Sequence, residues 1–439
     1  MKKRTRRKML ASVCVVTMLL ALLIGSGVGE AAKKVKLTIW LGYPELEPWL
    51  VRVIEDYKAL HPDVEIKVAS FTIREEEKKL SIALPAGKGP DIFNQTRQFM
   101  AKFAVDESVP ILPNPSKVHS FSKKAFPPEL YEPLWGGNYY GVPLITDGKA
   151  LFWNKTMFKE AALPGAPESW GDLIYFSQKL AKYDAAGNLT RSGVSLRLSG
   201  AGAGVGQKFS SFLLAAGGSM VEKTPGGKYH NGYDNVAGRD TLQLFIDLVH
   251  KYHVDDFMIK HDAEAFALEK TAMFKREGWV VGYMKEHAPQ VDYGTVQLPK
   301  FRRRATVYDF ESLYISKTCK YPETAWDFLL FVQKPKYQSD MFENIGWPPA
   351  RTVDVTYEDV IKRVPQYRAF VEFPEDMFLW DYPIITVNDE VETKFAEKLM
   401  TAYRRSDLVD NPRGITETIA DIAKETDKIL KKAGLYGLE

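Results

Sequence analysis

The chain has 439 residues, 45% of them hydrophobic and 26% charged, with a formal net charge of +3 and two cysteines. That length allows two or three domain-sized cores, and the absence of low-complexity tracts points to globular structure throughout. The positive balance is concentrated in the first eight residues, so nothing in the remainder suggests nucleic acid or an acidic lipid surface as a partner.

Lys2, Lys3, Arg4, Arg6, Arg7 and Lys8 precede an apolar run over 10–24, then a stretch of small residues ending at Ala31 and Ala32. The run is shorter than the roughly 20 residues of a membrane span, so it reads as a secretory signal, 1–31, cut after Ala31. Residues 5–10 loosely match a twin-arginine export signal, although the strongly apolar core suits the general route better. The cut removes six Lys/Arg and Glu30, which leaves a charge near −2. Cys14 leaves with the signal, so Cys319 has no intramolecular disulfide partner. Cys14 also opens the apolar run instead of following it, which is the wrong place for a lipidated cysteine. A freely diffusing, monomeric, periplasmic protein is expected.

Residues 36–40 alternate into a strand, and 46–61 form a helix with apolar residues at Leu50, Val53, Ile54, Tyr57 and Leu60. A second strand at 64–68, a second helix at 75–84 and a third strand from 90 follow. Helices between strands imply parallel pairing. At 141–155 a Gly and a Pro open an extended segment that Asp147 interrupts, and Leu151-Phe152-Trp153 then reads as a buried strand running into a helix near Lys155. This is expected to be a hinge between lobes, with the carboxylate facing a cleft. Ser169, with Asp172 three residues on, should cap a helix over 169–183.

Glycine-rich 199–206 lacks the Gly-Lys-Ser/Thr ending of a phosphate-binding loop, and its dinucleotide-like spacing fails at the third Gly; it reads as a loop opening a helix at 207–216. Helices are expected at 238–253 and 263–270, a short strand at 274–279, and a second crossover at 293–299. The basic loop 300–304 reads as solvated. A strand at 313–316, a helix at 322–333, a third crossover at 345–349 and closing helices at 388–404 and 414–433 complete the chain. Three crossings mean discontinuous lobes: 32–145 with 297–345, and 146–296 with 346–439.

Several separate segments, in order, resemble the family 1 extracellular solute-binding proteins of ABC importers, maltose-binding members above all. These are the first strand at 36–40, Gly89-Pro90-Asp91-Ile92-Phe93, the passage 141–155, the stretch from Lys270-Thr271-Ala272-Met273 to Gly278-Trp279, and Tyr314-Ile315-Ser316-Lys317 with Ala325-Trp326-Asp327-Phe328-Leu329. The resemblance spans about 35–435. It implies an α/β, two-lobed periplasmic-binding-protein fold of type II, each lobe a mostly parallel sheet flanked by helices, joined by a multi-crossover hinge. It also implies a carbohydrate ligand, ABC permease subunits as partners, and no cofactor. Two segments depart from the pattern: Asp309-Phe310-Glu311-Ser312 replaces a small or Gly-Gly pair, and Asn94-Gln95-Thr96-Arg97 follows the third strand.

A sugar site combines planar polar groups with aromatic platforms. The chain offers Trp40 and Tyr43 after the first strand, Asn94, Gln95 and Arg97 after the third, and Glu311 before a first-lobe strand. Asp147 and Trp279 match the family's acidic and stacking residues, and Trp347 stands at the last crossover. Trp153 and Trp326 are assigned to the core. The same fold with a polyamine, an iron chelate or a phosphorylated polyol is the alternative; Arg97 would favour an anionic ligand, Asp147 and Glu311 a neutral or cationic one. A secreted glycoside hydrolase using Asp147 with Glu311 or Asp309 is the remote reading. No nucleophile elbow or His-Glu-x-x-His pattern supports an enzyme, and His250, His253 and His261 read as a solvated helix end, not a metal site.

Overall fold

Alternation at Leu37, Ile39 and Leu41 puts three buried side chains on one face of β1 (Val35–Leu41). β2 (Val64–Ser70) lies parallel to it in register, Val35 opposite Val64 and Leu41 opposite Ser70. The connecting helix Glu47–Leu60 buries Trp49, Leu50, Val53, Ile54 and Tyr57, the stripe that a period of 3.6 dictates, while Leu60 points to solvent. β3 (Ile92–Thr96) joins the other edge of β1, again in parallel. The computed structural model describes residues 34–104, 111–200 and 202–439, with the side chains of Glu129 and Asp147 left aside; the expected signal, 1–31, lies outside these residues.

β4 (Val142–Asn154) is a single 13-residue strand. Two small hairpins follow, β5 (Lys182–Tyr183) with β6 (Leu189–Arg191) and β7 (Ser219–Lys223) with β8 (Tyr229–Gly232). After them come β9 (Met273–Glu277), β10 (Tyr293–Val296), β11 (Arg304–Ile315) and β12 (Met377–Trp380). The main sheet runs β10-β4-β11-β3-β1-β2, with β9 also on β4 and β12 on β11. Pairing is parallel among β2, β1 and β3 and antiparallel where β9, β10 and β11 meet β4. The expected mostly parallel sheet is therefore confined to β2, β1 and β3; β11 pairs antiparallel with both β3 and β4, and the second lobe is largely antiparallel. The reason is that β4 and β11 serve both lobes while running in opposite directions.

Each lobe has its own core. Leu37, Trp49, Val142, Phe310, Trp326 and Met341 belong to the first; Leu151, Phe209, Phe245, Val307 and Ile419 belong to the second, which has a satellite cluster around Phe152, Phe274 and Phe370. β4 changes cores between Ile145 and Ala150, and β11 between Val307 and Phe310. The second passage thus lies inside β11, beyond the 293–299 segment, whose strand β10 pairs with the second-lobe end of β4. The run of arginines opening β11 hides this strand in the sequence.

The third passage, Trp347 to Ala350, lies against β4: Thr146 N donates to Pro348 O at 2.9 Å and Ala350 N to Leu144 O at 3.0 Å. The hinge is therefore a strip of three adjacent extended segments. Gly148 is required there, because a Cβ at that position would lie 2.8 Å from the carbonyl oxygen of Phe370.

The basic loop is not simply solvated. Arg302 Nη1 donates to Ala216 O at 2.9 Å and Arg303 Nε to Leu214 O at 2.7 Å, satisfying carbonyls at the end of helix Gly204–Ala216. A helix absent from the sequence reading, Trp279–His287, begins at the aromatic residue thought to end a strand.

Candidate functional site between the lobes

A cleft of about 370 Å³ lies where the lobes face each other. Its first-lobe wall begins with the turn after β1. Gly42 N donates to Asn94 Oδ1 at 2.8 Å, and Asn94 Nδ2 donates to Glu311 Oε2 at 2.9 Å. The Tyr43 hydroxyl donates to the other oxygen of Glu311. Glu311 is thereby fixed in orientation at the cleft, with both carboxylate oxygens accepting hydrogen bonds. The Tyr43 ring meets Trp347 at 5.0 Å between centroids, tilted 58°. Trp347 is buried, and its Nε1 donates to Glu45 Oε1 at 3.1 Å.

Asn94 and Gln95 are fully buried behind this wall. Gln95 Nε2 donates to Glu76 Oε2 at 2.9 Å. Glu76 has no solvent exposure, and burial together with the Glu311 charge pushes its carboxyl up to about 9, so it is protonated at neutral pH. Asn94 and Gln95 therefore support the lining instead of forming it.

The second-lobe wall is cationic. Glu277, at the end of β9, receives Lys208 at 2.8 Å, Arg276 at 3.3 Å and Lys149 at 3.9 Å. Burial opposes its charge, but these three cations hold it well below the usual carboxylate range. Burial pushes Lys208 down. Trp279 opens its helix at the cleft, touches the cores of both lobes and carries the Arg276 guanidinium 5.1 Å from its ring centroid. Tyr382, Asn388 and Glu392 close the far end, opposite Arg74 and Glu77 of helix Ile73–Ala83. Burial raises the Glu392 carboxyl to about 7.

Of the residues expected from the sequence, Tyr43, Trp279, Glu311 and Trp347 line the cleft. Trp40 does not: it packs edge-on against Phe71 at 5.3 Å, beside the small core around Phe93 and Tyr314. Arg97 does not either; its Nη2 pairs with Asp381 Oδ2 at 2.6 Å, and its guanidinium lies 4.1 Å from the Phe310 ring centroid. Asp147 sits on β4 opposite Asp309 of β11, and its side chain lies outside the described residues. His250 bonds the Tyr403 carbonyl and His261 the carbonyls of Ser195 and Lys275. Among the described residues no group of three metal-ligating side chains is assembled.

Sequence reasoning missed Glu45, Arg197, Lys208, Arg276 and Glu277. Two signals were available. Lys208 is the one charged residue of helix Gly204–Ala216, and Arg276-Glu277 directly precede Gly278-Trp279.

Residues 52–369 match a family model described as bacterial extracellular solute-binding protein. The chain is 21% identical to the maltotriose-binding protein of Pyrococcus abyssi over 359 residues, which covers 78% of this chain and 72% of that one. Its fold is similar to that of an ABC transporter solute-binding protein from Thermotoga lettingae bound with α-D-tagatose, with a TM-score of 0.74, 22% identity, and 90% and 100% of the two chains covered. It is also similar to the GacH receptor of Streptomyces glaucescens, solved unliganded and with acarbose, with a TM-score of 0.75, 19% identity, and 92% and 99% covered.

Proposed function

The chain belongs to the bacterial extracellular solute-binding proteins, and from that membership we infer that its interlobe cleft captures a carbohydrate outside the cytoplasm and presents it, chemically unchanged, to an ABC permease. The observation that carries the reading is the pairing of Trp279, in contact with both cores, with an oriented acceptor, Glu311, across one cleft. An aromatic face suits the C–H surface of a sugar ring, and a fixed carboxylate accepts its hydroxyls. A relative named for maltotriose and structural neighbours solved with tagatose and acarbose support the same ligand class. Buried polar groups on both walls need partners once the lobes close, and a ligand bridging them favours the closed state by its differential contacts. The exported, monomeric state and the permease hand-over are part of this proposal.

A panel of mono- and oligosaccharides is expected to include one that raises the melting temperature by a few degrees, as binding at about 100 times Kd stabilises by roughly 2.7 kcal/mol. Trp279→Ala is expected to weaken that binding about tenfold or more with the fold intact. If only polyamines or metal chelates shift the melt, or if the sugar is recovered cleaved, the carbohydrate-capture reading fails.

A further inference from the structure

Three cations converge on Glu277, but a fourth, Arg197, stands apart. Among the described residues it has no carboxylate oxygen within 4 Å and no hydrogen-bond acceptor. Its guanidinium nevertheless lines the cleft and lies against the start of helix Gly204–Ala216. A Cβ on Gly204 would sit 2.5 Å from the guanidinium carbon, so a side chain there would push the guanidinium out of its present place. The Arg197 backbone has φ 61°, a left-handed conformation that non-glycine residues rarely adopt. A strained backbone and the space over Gly204 thus accommodate one charged group at the cleft, and such strain concentrates at ligand-binding positions.

The electrostatic setting is unfavourable for a cation. Burial and the neighbouring Arg276 bring Arg197 down to about 10. The helix start adds its positive end, and Ala203 at the N-cap offers no side chain to cap the first-turn amides. Arg276 carries a buried Nε with no acceptor. Two guanidinia and the start of helix Gly204–Ala216 line one cleft, a setting suited to an anionic group. The opposite wall is different: Glu311, oriented by Tyr43 and Asn94, accepts hydrogen bonds.

We propose that the ligand is an acidic carbohydrate, whose anionic oxygen group, a carboxylate or a phosphate, lies against Arg197, Arg276 and the amides opening helix Gly204–Ala216 while its hydroxyls donate to Glu311. The proposal rests on the carbohydrate reading of the cleft and narrows it.

The test is calorimetric titration of the full chain with three sets of probes: glucuronate, galacturonate and their short oligomers; the matching sugar phosphates; and the matching neutral sugars. An acidic member is expected to bind at least about tenfold tighter than its neutral counterpart, and the uronate and phosphate arms decide which anion is used. Arg197→Gln is expected to lower that affinity about 10- to 100-fold, the worth of a hydrogen bond to a charged group, and to weaken neutral sugars far less. Because φ is positive there, Arg197→Gly relieves the strain and keeps the fold, and it is expected to lose the acidic preference equally. A neutral sugar binding as tightly as its acidic counterpart, or an equal loss for both in the variants, overturns the proposal and leaves carbohydrate capture standing. Binding of no carbohydrate at all overturns both.

Discussion

Glu76 shows how a residue behind the cleft sets its charge. The carboxyl is sealed between Gln95 and the Glu311 charge, and burial raises it to about 9 from an ordinary 4.5. The folded state therefore holds a proton that the unfolded chain has released, and stability falls as pH rises between about 4.5 and 9. Glu392, raised to about 7, acts with the same sign over the lower part of that window. Glu76→Gln keeps an acceptor for Gln95 but cannot ionise. Its melting temperature relative to the parent is expected to be clearly higher at pH 8 than at pH 5; an equal difference at both pH values would mean that Glu76 is already ionised in the folded protein.

At the scale of elements, the third passage depends on the end of helix Pro335–Ile345. Gly346 closes it in the left-handed conformation, φ 93°, with its amide donating to Met341 O and Phe342 O. A Cβ there would lie 2.8 Å from the carbonyl oxygen of Gly278 and 2.9 Å from the Tyr367 hydroxyl. Gly278 in turn precedes Trp279, so the helix end and the start of helix Trp279–His287 are held by backbone contact. Gly346→Ala is expected to cost about 2 kcal/mol or more, from left-handed strain plus the clash. Gly434→Ala, also left-handed but with open space around it, is expected to cost only the strain, about 1 kcal/mol. Denaturant titration of the two variants checks the difference; equal losses would show that the contact with Gly278 yields easily.

For the whole molecule, the lobes touch beyond the hinge. Arg97 and Gln98 of the first lobe share Asp381 of the second, and Lys102 pairs with Asp389 at 3.6 Å. The Lys102 pair is partly exposed and is worth at most about 1 kcal/mol. Lys102→Ala is accordingly expected to raise the Kd of the bound sugar no more than about fivefold, by lowering the closed population without touching the ligand. Small-angle scattering checks the mechanism. The radius of gyration is expected to fall on sugar addition, and the ligand-free variant to be slightly larger than the parent. An unchanged radius in both experiments would leave the lobes rigid and the clamshell picture wrong.

The sequence by itself determined what depends on local spacing. The alternation of β1 and β2, the stripe of helix Glu47–Leu60 and the Ser169–Asp172 capping box all follow from side-chain period and backbone hydrogen-bonding groups that neighbours in the chain satisfy. Tyr43, Trp279 and Trp347 were also within reach, because each stands at the end of an element, whereas Glu311 lies inside β11. Tertiary structure alone decided the rest. Arg97 and Arg197 are the same residue type with opposite fates, since one finds Asp381 and the other finds no carboxylate among the described residues. Trp40 and Trp347 are received by different cores and Trp347, unlike Trp40, lines the cleft, and β11 became a single strand across both lobes despite its arginine-rich start. Pairing of charges and sharing of cores are set by residues distant in the chain, and local spacing carries no record of them.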